Sequence, residues 1–547
     1  MEPVVYDFAI NPRGTWAALR SGADALMPPR YYGLQVSRMI ADGPGAASDE
    51  RKADLDHFAS RCDDPGEVHR LLRTMVNALF PVPNASADGD RSNWDRLADR
   101  IREENGFDPV QHEQLREDLQ RGRIGLSRNR LPVDTDIRDV ADSDLIQAVE
   151  PPPWAAVERG LEALRRGEVA VVSLAAGVGS RWTTGAGVVK AINPFVTMAG
   201  RHRSFLEIHL AKTRRAIREA GVPIPHVVTT SYLTHRAIAR HLERTRNFGH
   251  DGPVFLSRGM SIGQRLVPMA RDLTFLWEEQ AHEALDENKQ KVREASRRAI
   301  LGWARGQGEG SDYTDNVPLQ RFNPPGHFYE VPTLLRNGVL SRLLDAYPNL
   351  RWLMVHNIDT LGASLDPGIL GRAIESGSTL GFEVIARRIE DRGGGLAKVN
   401  GRPRLLEGLA QPREETEFLL RYYNTLTTWV DIDGLLQYLG LTRDDLASSD
   451  RAEAIASAVR NLASYVPTYV TIKDVKRRWG FAQEDVFPVA QFEKLWGDLT
   501  RLPDLPCSFL AVDRRRGQQL KDVAQHDGGG NDGGKAYVEG LCDFATG

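Results

Sequence analysis

Residues 168–177 read EVAVVSLAAG, and six of the seven residues 169–175 are apolar, three of them valine. A run so short, continuous and β-branched suits a strand buried on both faces of a parallel sheet. Parallel strands need long crossovers, usually helical. The flanking sequence supplies them. Similar runs recur at IPHVVTTS (224–231), LRWLMVHNID (350–359) and STLGFEVIAR (378–387). Helical patterns lie at 154–166, 205–219, 234–246 and 331–346. This alternation predicts an α/β fold: a Rossmann-like core with a mixed, mostly parallel sheet.

The organisation around that core is read more coarsely. Residues 1–153 form a helical N-terminal region, 154–435 the core, and 436–547 a small C-terminal region. In the first, Val68, Leu71, Leu72, Met75, Val76 and Leu79 recur at helical spacing until Pro81 stops them. A second helix is expected over 93–104, after a loop, NASADGDRSN, at 84–93. The stretch QHDGGGNDGGK (525–535) reads as a mobile, low-complexity tail.

Composition removes several functional classes. With 41% hydrophobic and 26% charged residues, the 547-residue chain is neither disordered nor fibrous. A net charge of −4 gives no basic excess for nucleic acid. The three cysteines, Cys62, Cys507 and Cys542, are too few and too scattered for a disulfide scaffold or a Cys-x-x-Cys site. Glu2, Asp7 and Arg13 do not resemble a signal peptide, and the apolar run at 169–176 is far short of the roughly 20 residues of a membrane helix. The expectation is a cytoplasmic protein with no membrane and no nucleic-acid partner, and a homo-oligomer is open.

The first buried strand runs into LAAGVGSRWTTGAGVVK (174–190). A loop leaving the carboxyl end of a parallel strand is where α/β folds bind nucleotides. Ala175, Ala176, Gly177 and Gly179 could present backbone N–H groups to phosphate, with Arg181 and Lys190 adding charge. The loop is neither a P-loop nor a dinucleotide fingerprint. Taken alone, it reads equally as a tight structural turn.

Five ordered segments over about 255 residues carry a family resemblance. LAAGVGSR…VVK resembles L-x-G-G-x-G-[ST]-R…P-K of the UDP-sugar pyrophosphorylase family, which includes the UDP-glucose and UDP-N-acetylhexosamine enzymes. PPGH (324–327) resembles P-P-G-H-G-D, and NIDTLGA (357–363) is close to N-I-D-N-L-G-A. RGGGLAKVNGRPRLLEGLAQP (392–412) and YYNTLTTW (422–429) are similar to K-G-G-x-L…G-x-x-x-L-x-E-x-x-Q-x-P and F-N-T-N-N-L-W. The resemblance implies a nucleotidyltransferase that joins a nucleoside triphosphate to a sugar or sugar-like 1-phosphate and releases pyrophosphate, with Mg²⁺ as cofactor.

Individual residues then acquire candidate roles. Lys190, Arg181 and Asp359 are the catalytic set. Asp359, expected at a strand end, either holds Mg²⁺ together with phosphate oxygens or caps the next segment. His327, after Gly326, either meets a phosphate or is a satisfied loop histidine. Gly394 either allows close approach of ligand or belongs to a hairpin turn. Glu407 and Asn424 could hydrogen-bond sugar hydroxyls. Lys473 and Arg514 are candidates for the sugar phosphate, because Asp513 stands where the family has a phosphate-binding lysine.

Other departures bear on the substrate. Arg258, in FLSRGMSIG (255–263), replaces the glutamine that reads uracil in the family. Arginine only donates, which suits guanine O6 and N7 better than uracil; alternatively Arg258 binds the triphosphate. UTP is the family expectation and GTP its contender. Leu426 and Thr427 replace two asparagines, which favours a deoxygenated sugar or a cyclitol phosphate. The altered loop and Asp513 leave an alternative: a catalytically weak nucleotide-sugar-binding or regulatory protein of the same fold. A glycosyltransferase is a third reading, against which the missing D-x-D tells.

Overall fold

A computed structural model describes residues 87–149, 151–179, 189–279, 287–389, 391, 393–480, 483–520 and 533–544. The expected helix before Pro81, Cys62 and Arg181 lie outside them. The chain forms two compact units. The smaller comprises Met1–Ile101, Tyr313–Arg321 and Lys473–Val489; in it Arg321 pairs with Asp95 at 2.8 Å and lies over the Trp94 ring. The larger comprises Arg102–Asp312, Phe322–Ile472 and Ala490–Gly547.

The larger unit is the predicted α/β core. Its elements are β1 (Ile146–Gln147), α1 (Trp154–Arg165), β2 (Val169–Leu174), α2 (Phe205–Ala220), β3 (His226–Thr230), α3 (His235–Arg244), β4 (Val254–Arg258), α4 (Glu330–Arg336), α5 (Val339–Ala346), β5 (Trp352–Asn357), α6 (Pro367–Glu375), β6 (Leu380–Ala386), β7 (Gly395–Val399), β8 (Arg402–Leu406), β9 (Tyr422–Asp431) and β10 (Cys507–Ala511). The sheet order is β1-β10-β6-β9-β5-β2-β3-β4. Every neighbouring pair on this path is parallel except the two made by β9, which runs antiparallel to β5 and β6. The β7–β8 hairpin joins β9 through Gly395 and Leu396.

Burial follows from the sequence pattern. All six residues of β2 are buried. Ala170, Val172 and Leu174 pack with Leu334, Leu340 and Leu343 of α4 and α5. Val169 and Val171, on the other face, pack with Ala163, Ile369 and Leu370 of α1 and α6. Period-2 alternation thus feeds two cores, one on each side of the sheet. The α1–α6 contact is nearly backbone to backbone: a Cβ on Gly371 would lie 1.8 Å from the Ala156 carbonyl oxygen.

Four expectations are corrected. The segment 331–346 is two helices, because Gly338 adopts φ 70° and the Asn337 side chain caps the Val339 N–H at 3.1 Å. The expected loop at 84–93 is helical from Ala87, since Ser, Asp and Asn cost a helix interior only a few tenths of a kcal/mol. Strand β5 ends at Asn357, and Asp359 sits in the turn after it. Gly534–Gly540, on the edge of the expected mobile tail, is a helix.

Candidate active site

The carboxyl ends of β2, β3, β5, β6 and β10 and the amino end of β9 converge on one edge of the sheet. Lys190 and Asp359 meet there: Nζ donates to Oδ2 at 2.9 Å, with both side chains buried. The same ammonium donates to the Leu520 carbonyl at 2.6 Å and lies 5.1 Å from the Phe205 ring centroid. Leu520 N–H in turn donates to the Asp359 carbonyl at 3.0 Å. Asp359 Oδ1 is buried and makes no hydrogen bond among the described residues.

The glycine loop is held from β3. Ala175 N–H donates to Thr229 Oγ1, Thr234 Oγ1 to the Ala175 carbonyl, and Ser231 Oγ to the Ala176 carbonyl. Lys190 N–H donates to the Val178 carbonyl at 3.2 Å, which brings the end of the loop back to its start. A Cβ on Gly179, at φ 72°, would strike the Lys190 side chain.

A second group forms around Glu407. Asn424 N–H donates to the Gly394 carbonyl at 3.2 Å, and a Cβ on Gly394 would lie 2.9 Å from Glu407 Oε2. Gly497 completes the set: a Cβ there would approach Glu407 Oε1 to 2.6 Å and Asn424 Nδ2 to 3.3 Å. Asn424 Oδ1 accepts from Leu426 N–H at 3.0 Å, and Leu426 takes φ 58°, uncommon for a residue with Cβ. The two groups are joined where Thr360 Oγ1 donates to the Thr425 carbonyl at 3.1 Å.

The PPGH segment bridges them. His327 Nδ1 accepts from Trp496 N–H at 3.2 Å, which leaves the proton of the neutral ring on Nε2. Three residues later, Glu330 accepts from Thr229 Oγ1 and from the Ala176 N–H, and burial pushes its carboxyl up to about 7. Nothing in the sequence marked Glu330 beyond its place after PPGHFY.

The remaining candidates are placed differently. Arg514 is bidentate to buried Asp391 at 2.7 and 2.9 Å and donates to the Ala386 carbonyl, so its guanidinium braces the glycine hairpin. Asp513 caps Arg514–Gly517 by accepting from Arg515 N–H, and pairs with the Arg515 side chain. Lys473 belongs to the smaller unit. Arg258 ends β4, and one of its Nη groups donates to Glu104 and Asn105, each at 3.1 Å, while its Nε is buried without an acceptor among the described residues. A cavity of about 390 Å³ lies beside Leu361, Gly362 and Leu520, lined by Phe195, Arg388 and Arg515. Gly362 is needed there, since a Cβ would fall 2.1 Å from the Arg515 carbonyl oxygen.

No group of three or more His, Cys, Asp or Glu able to hold a metal occurs among the described residues. Asp359 could share a metal with phosphate oxygens and water, as Mg²⁺ is held in phosphoryl-transfer sites. The unbonded Oδ1 fits that role. No helix among the described residues is long and apolar enough to cross a membrane.

Residues 311–449 match the family described as UTP–glucose-1-phosphate uridylyltransferase. A probable UTP–glucose-1-phosphate uridylyltransferase of Schizosaccharomyces pombe is 32% identical over 119 residues, 21% of this chain and 23% of that protein. The Saccharomyces cerevisiae UTP–glucose-1-phosphate uridylyltransferase is 32% identical over 121 residues, 21% and 24% of the two chains. The chain thus matches about a quarter of the length of these relatives. Among solved structures, the uridine diphosphate N-acetylglucosamine pyrophosphorylase of Trypanosoma brucei, in complex with inhibitor, superimposes with a TM-score of 0.52 at 15% identity, covering 91% of this chain and 85% of that one.

Proposed function

From a chain related to the UDP-sugar pyrophosphorylase family through residues 311–449, and sharing the fold of such an enzyme, we propose a sugar-1-phosphate nucleotidyltransferase. It joins a nucleoside triphosphate to a sugar or sugar-like 1-phosphate and releases pyrophosphate. The observation that carries this reading is the buried Lys190–Asp359 pair at the mouth of the glycine loop, one turn from the Glu407–Asn424 group.

The division of labour follows from the chemistry. An oxygen of the sugar phosphate attacks the α-phosphorus in line, and the pyrophosphate oxygen leaves. Such transfer needs positioning and charge neutralisation more than covalent help. The Ala175 and Ala176 N–H groups are spent on Thr229 and Glu330, so the N–H groups of Gly177 and Val178 are left to orient the triphosphate, and Lys190 supplies positive charge at the reacting phosphorus. Asp359 would hold Mg²⁺ through Oδ1. When bound, that ion neutralises charge on the phosphates. Glu407, Asn424 and the Nε2–H of His327 suit hydroxyls of the acceptor, and Leu426 beside them favours one with fewer hydroxyls. Arg258, with the Glu104 carboxylate, offers donors and an acceptor side by side, which fits the O6 and N1–H edge of guanine and equally the O4 and N3–H edge of uracil, so GTP stands beside UTP as a candidate substrate.

The test is isotope exchange. Labelled pyrophosphate, incubated with the chain, Mg²⁺ and a panel of nucleotide sugars, should appear in nucleoside triphosphate. Binding of nucleotide sugars with no exchange would support the alternative of a binding or regulatory protein.

A further inference from the structure

The turn that carries Asp359 is supported from beneath by side chains to which no role has yet been given. His209 and Lys212 lie one turn apart on the buried face of α2. His209 Nε2 donates to the Ile358 carbonyl at 2.9 Å. Lys212 Nζ donates to the Leu361 carbonyl at 2.6 Å and to the Ala363 carbonyl. A further carbonyl of the turn is held by a buried chain of hydrogen bonds. His356 Nδ1 faces the Asn357 carbonyl at 3.0 Å, and Ser173 Oγ lies 2.9 Å from both His356 Nε2 and His226 Nε2. His226 Nδ1 is 2.8 Å from Thr213 Oγ1.

The direction of that chain follows from the chemistry at its end. A carbonyl only accepts, so His356 Nδ1 carries a proton and Nε2 of the neutral ring accepts from Ser173. Ser173 has then spent its proton, and His226 Nε2–H donates to it. His226 Nδ1 then accepts from Thr213, whose hydroxyl proton goes to this 2.8 Å contact rather than to the His209 carbonyl 3.2 Å away. Burial keeps both imidazoles neutral, and that of His209 as well. The donors run one way, from α2 through β3 and β2 to β5, and terminate on the first residue of the NID turn.

Four carbonyls of one turn, those of residues 357, 358, 361 and 363, are thus held by fully buried side chains. Burying an ammonium and three imidazoles is costly unless each finds a partner, and an apolar helix face would have packed α2 at less cost. We propose that His209 and Lys212, with the Ser173–His226–His356 chain, are positioning residues. They fix the turn so that Asp359 is held against Lys190 at the end of the glycine loop. This rests on the nucleotidyltransferase reading, but its structural part is testable without it.

Hydrogen exchange by mass spectrometry on full-length Lys212→Met, in a peptide spanning 352–366, reads the turn directly. The Thr360 and Ala363 amides, bonded to the Asn357 and Thr360 carbonyls, should exchange at least about tenfold faster than in the wild type, with distant peptides unchanged. With NTP, sugar phosphate and Mg²⁺, kcat should fall about 10- to 100-fold, KM for NTP should change less than about threefold, and half-saturation should need several-fold more Mg²⁺. His209→Gln keeps a donor and should retain most activity; His209→Leu should not, which separates positioning from packing if Lys212→Met does not fold. Unchanged exchange in the peptide, or equal behaviour of the two His209 variants, overturns the proposal. Faster exchange alongside a wild type that is inactive with every substrate pair upholds the positioning and removes the catalytic reading instead.

Discussion

Asp359 is buried, its Oδ2 is held by Lys190, and its Oδ1 has no hydrogen bond among the described residues. Asp359→Asn preserves shape and removes charge. It should lower kcat at least about 10²-fold, since a metal's charge stabilisation amounts to several kcal/mol. Mn²⁺ titration in the presence of nucleotide should show the weakened site without relying on turnover; near-normal turnover and Mn²⁺ affinity would take Asp359 out of the site. At Arg258, the Gln substitution should move preference from GTP toward UTP, because one good base contact discriminates by roughly 1–3 kcal/mol. Equal weakening of every triphosphate would put Arg258 on phosphate. The sequence disclosed Asp359 and Lys190 because each stands in a motif beside a strand or loop. It could not disclose their ion pair, which spans 169 positions. Arg514 was legible only as a cation; its commitment to Asp391 depends on how the glycine hairpin folds back.

The elements were legible where periodicity was strong, as in β2 and α2. They were misread where one residue decides, as at Gly338. His209, Lys212 and Thr213 stand as polar residues on the buried face of α2, but their partners lie in the distant 358–363 turn and on β3, which no local pattern shows. Glu330 sets a test at this scale. Its carboxyl ionises near 4.5 when unfolded and near 7 in the fold, so the fold retains a proton that the unfolded chain has released. Its contribution to stability is complete below about 4.5 and lost as pH rises through about 7. Glu330→Gln should therefore raise Tm by several degrees at pH 8 and little at pH 4.5, read by thermal unfolding across pH. A constant offset at all pH values would contradict this. At the α1–α6 contact, Gly371→Ala should destabilise by about 1–3 kcal/mol through overpacking, measured in urea, with KM for both substrates unchanged. A neutral substitution would mean the helices separate freely.

Across the whole molecule, the antiparallel β9 inserted between β5 and β6 brings Asn424 and Thr425 to the edge where parallel strands deliver Asp359 and the glycine loop. Local patterns predict strands, not their order, so this junction could be expected only from the family resemblance. Its consequence is that the two residue groups meet, joined through Thr360 and bridged by the segment from His327 to Glu330; on the proposed reading one group meets phosphate and the other the acceptor's hydroxyls. The most direct measurement is pyrophosphate release from the purified chain with Mg²⁺, across a matrix of nucleoside triphosphates and sugar or cyclitol 1-phosphates. The account predicts pyrophosphate in step with a new nucleotide sugar for at least one pair, strongest with UTP or GTP and abolished in Asp359→Asn. No pyrophosphate from any pair, with nucleotide sugars still bound, would contradict it.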